Sequence, residues 1–332
     1  MFNALVLRDA DKSDEQVSAR IETLSTEDLP AGGEVLVRVE WSGINYKDAL
    51  AVTGKGKIIR GSYPFVPGID LAGTVMESDD DRFSEGDRVL QTGWGLGETT
   101  WGGYSRVQRL LADHLIHIPD ELSSRDAMVA GTAGFTGMLS ALVIEESETR
   151  PGGKPVVVTG ATGGVGSFAV MALSRMGYEV IASTGKPEAG ETYLRGLGAS
   201  DIVPREKLAS GADRPMVTAR WGGAVDVVGG RTLESIIAAT DWHGTIAACG
   251  LTGGHELHTT VYPFILRGVR LFGIDSNNST LQRRRQVWER LSQLAGAVDF
   301  GGLAEDISLE DVPARCEDVI AGRVTGRFVV SL

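Results

Sequence analysis

Short apolar runs separated by glycine and proline characterise the first 125 residues of the chain. Runs of this kind, bounded by turn-forming residues, are typical of strands in antiparallel sheets. They cover residues 35–39, 72–76, 88–90 and 115–118. The pattern therefore predicts an antiparallel, partly barrel-like β domain in this part of the chain.

The pattern changes at about residue 126. A helical stretch over residues 127–144 comes first, and β-branched runs then alternate with amphipathic segments. This alternation indicates βαβ units that build a parallel sheet. Six runs are candidate strands: residues 156–159, 179–183, 201–203, 224–228, 245–249 and 270–274. Their spacing predicts one doubly wound, six-stranded sheet, so the fold class is α/β.

The remaining segment carries two helical patterns and a last apolar run. The helices are predicted around residues 281–294 and 312–320, and the run covers residues 326–330. A complete six-stranded sheet has no obvious place for this run, so we expect it to return to the β domain. A length of 332 residues suggests about two domains.

Composition narrows the class of protein. The chain has 44 glycines among 332 residues, about 13%, against a usual share of roughly 7%. The glycines have no three-residue period and the chain is 42% hydrophobic, which excludes collagen and argues against disorder. The net charge of -12 disfavours non-specific binding to nucleic acid and anionic membranes, so neither is expected as a partner.

The two cysteines, Cys249 and Cys316, are too few for a disulfide framework or a four-thiolate zinc site. No apolar run approaches the roughly 18 residues that span a bilayer, and the N-terminal pattern is not that of a signal peptide. We therefore expect a cytoplasmic protein.

A glycine cluster lies between the apolar run 156–159 and an apolar-periodic helix. Gly163, Gly164 and Gly166 permit the close backbone approach and the free N–H groups that a pyrophosphate needs at a helix N-terminus. The spacing from Gly160 through Gly163 to Gly166 departs from the strict G-x-G-x-x-G pattern. The position predicts a dinucleotide site, and the alternative is a glycine-rich turn that serves only helix–strand packing.

The next predicted strand ends in the sequence Ser183-Thr184-Gly185-Lys186. Enzymes that use NAD offer Asp or Glu to the ribose 2′-hydroxyl at this point. A hydroxyl pair followed by a lysine instead suits a 2′-phosphate, with Arg205 as a second cation. The cofactor is therefore predicted to be NADPH, unless Lys186 and Arg205 are ordinary solvated charges.

Several motifs resemble those of the zinc-independent medium-chain dehydrogenases/reductases over nearly the whole chain. They are residues 44–50 (INYKDAL), 67–75 (PGIDLAGTV), 131–136 (GTAGFT) and 163–166 (GGVG). Residues 55–60 (KGKIIR), the segments around Trp94 and Trp101, and residues 248–251 (ACGL) resemble the acrylyl-CoA reductase branch, first grouped with quinone oxidoreductases.

This resemblance implies a GroES-like, β-rich catalytic domain formed by residues 1–128 and 275–332. A Rossmann domain for NADPH would lie between them in sequence, over residues 129–274, with the active site in the cleft. A homodimer through the sheet edge at residues 270–274 is a further expectation from the family.

Zinc-using relatives carry a Cys in the first loop and a His-Glu pair after the Pro-Gly step. This chain has Asn45-Tyr46 and Ile69-Asp70 at those places, so no catalytic zinc site can be assembled from them. His114 and His117 lie on a predicted strand, and His255 with His258 lacks the spacing of the helical H-E-x-x-H motif. We expect no metal.

The cofactor contacts that the resemblance implies fall on twelve residues: Tyr46, Thr162, Gly163, Gly164, Val165, Thr184, Gly185, Lys186, Arg205, Leu251, Ile265 and Ser276. For Leu251 and Ile265 the sequence alone is equally compatible with an apolar core.

The implied reaction is the NADPH-dependent reduction of acrylyl-CoA to propanoyl-CoA. Hydride adds to the β-carbon, a proton reaches the α-carbon, and the enolate oxygen needs a donor. Tyr46 is the candidate catalytic residue, as proton or hydrogen-bond donor or as a residue that positions the cofactor, and water is the alternative acid. Asp48 and Asp70 are lesser candidates that we expect to tie loops to neighbouring N–H groups.

A coenzyme A thioester carries phosphates, which need local positive charge on an acidic protein. Lys55, Lys57 and Arg60 form one candidate cluster, and residues 283–285, three arginines, form another. Solvated surface charge is the alternative for both. Competing functions are NADPH:quinone oxidoreductase and an NADPH-binding protein without turnover.

Overall fold

Fifteen strands and nine α-helices form in the part of the chain that the computed structural model describes, residues 1–9, 17–211 and 213–332. The strands are β1 (Phe2–Asp9), β2 (Val17–Leu24), β3 (Val35–Gly43), β4 (Asp70–Ser78), β5 (Arg88–Thr92), β6 (Val107–Leu110), β7 (Ile116–His117), β8 (Val156–Val158), β9 (Val180–Thr184), β10 (Asp201–Pro204), β11 (Trp221–Asp226), β12 (Thr240–Ala248), β13 (Arg270–Gly273), β14 (Ala304–Ser308) and β15 (Arg327–Ser331). The helices are α1 (Tyr46–Val52), α2 (Ser124–Glu145), α3 (Gly164–Arg175), α4 (Glu191–Gly196), α5 (Arg205–Ala209), α6 (Gly230–Ala239), α7 (Tyr262–Arg267), α8 (Leu281–Ala295) and α9 (Val312–Ile320).

The chain divides into two compact units. Unit 1 consists of Met1–Thr132 together with Asn277–Leu332, and unit 2 is Ala133–Ser276. The divisions fall a few residues beyond those expected from the sequence, 128/129 and 274/275. The first one lies within α2, where unit 2 begins two residues after a residue that leaves helical geometry.

That residue is Gly131, with φ 49° and ψ -154°. The prediction of a continuous helix over residues 127–144 was therefore wrong at Gly131. A Cβ on Gly131 would lie 2.4 Å from Asp70 Oδ2 and 3.0 Å from Arg327 Nη2. The helix breaks because two buried charged groups approach its backbone more closely than any side chain allows.

The main sheet of unit 1 has seven strands in the order β14-β15-β3-β4-β5-β7, and β6 also pairs with β3. The final strand β15 runs antiparallel to β3, which confirms the predicted return of the last apolar run to the β domain. The hairpin β1–β2, β6 and β14 were not anticipated. Strand β2 is half-exposed along its length, which leaves little apolar pattern to recognise.

Unit 2 contains the six-stranded parallel sheet, in the order β10-β9-β8-β11-β12-β13. The predicted doubly wound sheet is confirmed, and this order places the ends of β8 and β11 at the topological switch point. Strands β11 and β12 both begin earlier than predicted. Two glycines after Trp221 interrupt the apolar pattern of β11. The pairing of β11 with β12 also shifts register between Trp221 and Gly223.

Helix α2 is long and apolar enough to cross a membrane by length and composition, but 89% of its apolar window is buried within the protein. Helix α2 is therefore apolar because it is a buried core helix.

Arg284 on α8 is fully buried in unit 1. Its guanidinium donates to the Thr92 carbonyl oxygen at 2.5 Å, the Asn277 carbonyl oxygen at 2.8 Å and the Ser279 carbonyl oxygen at 3.2 Å. It also lies 3.8 Å from the Trp94 ring centroid. The middle arginine of residues 283–285 therefore serves the interior of the β domain and cannot receive a substrate phosphate.

We predict that Arg284→Met lowers the free energy of unfolding by about 3 kcal/mol, because several buried carbonyl groups lose their donor. Urea denaturation measures the loss. Arg285→Met is the matched control, since Arg285 is the next residue on the same helix and is exposed. Its cost should stay within about 0.5 kcal/mol, and equal costs for the two variants would contradict the role given to Arg284.

Candidate functional site

The glycine cluster of unit 2 connects β8 to α3 as the sequence predicts. Gly160 has φ 55°, and a Cβ there would lie 2.4 Å from Val227 Cγ2. A Cβ on Gly166 would lie 2.5 Å from the Gly160 carbonyl oxygen. Gly163 is the N-cap of α3, and nothing lies nearer to its Cβ position than the Gly160 oxygen at 3.3 Å.

Gly160 and Gly166 are therefore needed for backbone packing, while Gly163 keeps the helix start open. Gly164 and Val165 are the first two residues of α3, so their N–H groups belong to the helix turn that has no internal acceptors. An open N-terminus of a twelve-residue helix at a sheet switch point fits a pyrophosphate.

A buried pair that the sequence reasoning missed fixes the position of this loop. Thr159 Oγ1 donates to Asp226 Oδ1 at 2.7 Å, and the Gly229 N–H donates to Asp226 Oδ2 at 2.7 Å. Burial raises the pKa of Asp226. The pair joins the ends of β8 and β11, and the signal that could have revealed it is an Asp in the middle of the apolar run 224–228.

The polar cluster at the end of β9 also forms. Thr184 Oγ1 lies 3.0 Å from Thr162 Oγ1 and accepts from the Lys186 N–H at 3.1 Å. A Cβ on Gly185 would lie 3.2 Å from Arg205 Nη2, so the guanidinium covers this glycine. Burial, and then the Arg205 charge, lower the pKa of Lys186. Two cations that repel one another at the end of a strand form a site for an anion.

Ser183 is the first hydroxyl of the pair that the sequence analysis assigns to the 2′-phosphate. Its side chain is buried at the end of β9, and its Oγ has no hydrogen-bond partner within the described residues. A buried hydroxyl without a partner is costly and uncommon. It stands where NAD-dependent enzymes place an acid, and the Ser-Thr pair in the sequence was its signal.

The apolar residues assigned to the cofactor lie on the surface. Leu251 follows β12 and is 61% exposed, and Ile265 on α7 is 68% exposed. An apolar core is therefore the wrong interpretation for both. Ser276 is partly buried and is the last residue of unit 2.

Tyr46 is the first residue of α1 in unit 1. The Asp48 carboxylate closes the turn by accepting the Asn45 N–H at 2.8 Å, and its second oxygen accepts the Ile69 N–H at 2.9 Å. The Tyr46 side chain is 43% exposed, and its hydroxyl has no hydrogen-bond partner among the described residues. The Tyr46 phenol can therefore donate a hydrogen bond to a ligand, and the turn that carries it is held by the Asp48 carboxylate.

Asp70 anchors a buried polar cluster below that turn. It accepts hydrogen bonds from Asn45 Nδ2 at 2.8 Å and from the Thr132 N–H at 2.9 Å, and it pairs with Arg327 at 3.6 Å. Arg327 also donates to Asn45 Oδ1 at 3.2 Å and to the Ala130 carbonyl oxygen. Asn45 and Asp70, at the positions where zinc-using relatives carry ligands, are therefore engaged in hydrogen bonds.

The cations assigned to the substrate lie after α1. Lys55 Nζ is 2.6 Å from Glu317 Oε2. Glu317 lies on α9, and both side chains of this ion pair are exposed. Lys57 and Arg60 are exposed, and their side chains form no ion pair with a described residue. The structure thus leaves Lys57 and Arg60 available and gives Lys55 an internal partner.

The histidines considered for a metal have other surroundings. His114 stacks on Trp94, and His258 lies 3.2 Å from Glu234 Oε1. Within residues 1–9, 17–211 and 213–332, no group of three His, Cys, Asp or Glu side chains converges as metal ligands would. Burial raises the pKa of the Cys249 thiol to about 12, which keeps it protonated.

Comparison with known proteins agrees with this arrangement. Residues 31–120 match the alcohol dehydrogenase GroES-like domain, and residues 164–295 match the zinc-binding dehydrogenase domain. The acrylyl-CoA reductase AcuI of Ruegeria pomeroyi is 45% identical over 332 residues, covering 100% of this chain and 99% of that protein. YhfP of Bacillus subtilis, provisionally named a quinone oxidoreductase, is 46% identical over 338 residues, with 100% and 99% coverage.

A crystal structure of the Salmonella enterica yhdH oxidoreductase in complex with NADP superposes with a TM-score of 0.94. The two sequences are 46% identical, and the match covers 99% of each chain. The chain therefore belongs to the medium-chain dehydrogenase/reductase family, in the branch of acrylyl-CoA reductases and quinone oxidoreductase-like proteins.

Proposed function

We propose that the chain is an NADPH-dependent oxidoreductase that reduces the C=C bond of acrylyl-CoA to give propanoyl-CoA. The observation that carries this proposal is the 45% identity to an acrylyl-CoA reductase across the full length of both proteins. The open glycine loop, the cation pair after β9 and the free Tyr46 phenol are the features that this reaction requires.

The residues of unit 2 fit the cofactor. Thr162, Gly163, Gly164 and Val165 would hold the pyrophosphate with backbone N–H groups and a threonine hydroxyl. Lys186 and Arg205, with hydroxyl groups of Ser183 and Thr184, would hold the 2′-phosphate, and Gly185 lets the Arg205 guanidinium lie against the backbone.

The remaining cofactor contacts are Leu251, Ile265, Ser276 and Tyr46. Exposed apolar side chains such as Leu251 and Ile265 suit the flat faces of a nicotinamide. When bound, NADPH supplies the hydride that the β-carbon of the acrylyl group accepts.

The protein must then stabilise the negative charge that moves onto the thioester oxygen. We assign this role to Tyr46, whose hydroxyl donates to the enolate oxygen, and a proton from the phenol or from water reaches the α-carbon. The support is geometric, since the hydroxyl is free and the turn that carries it is fixed by Asp48.

We assign the coenzyme A phosphates to the loop after α1. Lys57 and Arg60 are exposed and unpaired among the described residues, which suits ligands of a mobile phosphate. Lys55 would have to leave Glu317 to contribute, because the two side chains form an ion pair.

A quinone is the alternative acceptor, favoured by the name of the Bacillus subtilis relative. The hydride donor would be the same, and the acceptor would be flat and uncharged. In that case neutralising Lys57 would have no effect on acceptor binding.

We also propose a cytoplasmic homodimer that assembles through the β13 edge. Strand β13 is the last strand of its sheet, and Val261, Tyr262, Leu266 and Phe272 expose apolar surface. Exposed apolar groups near an open sheet edge suit pairing with a second copy.

An assay with three acceptors tests the proposed function. NADPH oxidation followed at 340 nm with acrylyl-CoA, crotonyl-CoA and a benzoquinone should give the highest kcat/KM for acrylyl-CoA. Turnover of the quinone alone would contradict the thioester assignment. Tight NADPH binding without oxidation by any acceptor would contradict an enzymatic role.

Lys186→Ala should raise the KM for NADPH by roughly 10- to 100-fold, the value of one charge-assisted hydrogen bond. The KM for NADH should stay nearly constant, because NADH has no 2′-phosphate. Lys207→Ala is the control, since Lys207 is an exposed lysine on α5 two residues beyond Arg205. Unchanged NADPH affinity in Lys186→Ala would refute the 2′-phosphate assignment.

Tyr46→Phe should lower kcat by about 100-fold or more, as expected for the loss of a donor to a developing oxyanion. The KM for NADPH should change little, since the ring remains. Tyr262→Phe, which removes another exposed phenol, should behave like the parent. Full turnover with normal NADPH affinity in Tyr46→Phe would rule out both roles given to the hydroxyl.

A further inference from the structure

The Asn45 side chain lies between two buried carboxylates and a buried guanidinium. Its Nδ2 is 2.8 Å from Asp70 Oδ2 and 3.2 Å from Asp48 Oδ2, and its Oδ1 accepts from Arg327 at 3.2 Å. Both N–H groups and the oxygen are thus engaged. The amide cannot turn without breaking one of these bonds.

Asp48 connects this cluster to the turn that carries Tyr46. Its carboxylate accepts hydrogen bonds from three donors: the Asn45 N–H, the Asn45 amide and the Ile69 N–H. An added proton would point a donor at one of these donors and break a bond. Because Tyr46 lies between Asn45 and Asp48, the conformation of its backbone depends on this cap.

The Asp48 carboxyl changes charge near neutral pH. Burial, and then the Asp70 charge, raise the pKa of Asp48 to about 7. The buried Arg327 guanidinium stays charged. Burial raises the pKa of the Tyr104 phenol and of the Cys316 thiol, so both stay neutral.

We propose that Asp48 is a positioning residue for Tyr46. Its ionised carboxylate holds the first turn of α1 in the conformation that presents the phenol to the substrate, and the protonated acid releases that turn. The inference rests on the reductase function proposed above, since it concerns the residue assigned to the enolate.

Ionised Asp48 should favour turnover while it lowers stability. Its pKa is higher in the folded protein than the roughly 3.9 of an unfolded chain, so the folded state binds the proton more tightly. The contribution of this group to the free energy of unfolding therefore falls as pH rises from about 4 to about 7, and is constant above that range. A residue that was only structural would make activity and stability change in the same direction.

The test compares kcat for acrylyl-CoA and the free energy of unfolding between pH 6 and pH 8. The ionised fraction of an acid with a pKa of about 7 rises from about 0.1 to about 0.9 over this range, so the kcat of the parent should rise about ninefold. Stability should not rise with it. Asp48→Asn should turn over slowly, with no rise in kcat over the same range.

Asp28→Asn is the matched control. Asp28 closes the same type of turn by accepting the Ser25 N–H at 2.7 Å, but it is exposed and hydrogen bonds from Ser25 lower its pKa. This variant should keep the parental pH profile. A parental profile in Asp48→Asn would overturn the proposal.

Amide hydrogen exchange of residues 45–52 gives a readout that is independent of turnover. After correction for intrinsic rates, these amides of the parent should exchange at least threefold faster at pH 6 than at pH 8. Equal protection at the two pH values would overturn the proposal even if Asp48→Asn failed to fold. If acrylyl-CoA is not reduced but protection changes with pH, the proposed substrate fails and the coupling between Asp48 and α1 stands.

Discussion

Two buried carboxylates and one buried guanidinium determine the local structure of unit 1 around Tyr46. Asp70 pairs with Arg327 and receives hydrogen bonds from Asn45 and Thr132, while Asp48 takes the N–H groups of Asn45 and Ile69. Isolated charges in such a place would cost several kcal/mol each. The sequence segments that satisfy them must therefore converge, and Gly131 must break its helix to let the charges approach.

Unit 2 places two charges of the same sign close together at the end of β9. Burial, and then the charge of Arg205, lower the pKa of Lys186. The buried cluster of unit 1 pairs opposite charges, whereas this one brings two like charges together. Paired opposite charges stabilise a fold, and two neighbouring cations form a site that a ligand with negative charge completes.

The sequence predicted most of the architecture, because strand and helix periods and glycine positions are local signals. The six-stranded sheet, the glycine loop before α3, the return of the last strand and the cluster after β9 all followed from such signals. Asp48 and Asp70 were also expected to tie loops to neighbouring N–H groups, and they do. The other buried polar contacts did not follow from the sequence. Arg284, Asp226 and Arg327 look like ordinary charged residues in the sequence, and only their distant partners reveal that they are interior. The helix break at Gly131 was not predicted for the same reason. The groups that require a glycine there are Asp70 and Arg327, which are distant in sequence.

The discontinuous make-up of unit 1 has a consequence for the order in which the chain is made. Strand β15 lies between β14 and β3, so the sheet lacks an inner strand until the last residues have been synthesised. Until β15 has been made, Asp70 lacks the Arg327 guanidinium. Unit 2 is complete at Ser276 and can fold as a unit before β15 is made, whereas unit 1 also needs residues 277–332. Residues 41–43 of β3 therefore lack their partner strand until β15 is made, and unpaired strand edges of this kind are exposed to chaperones and to aggregation.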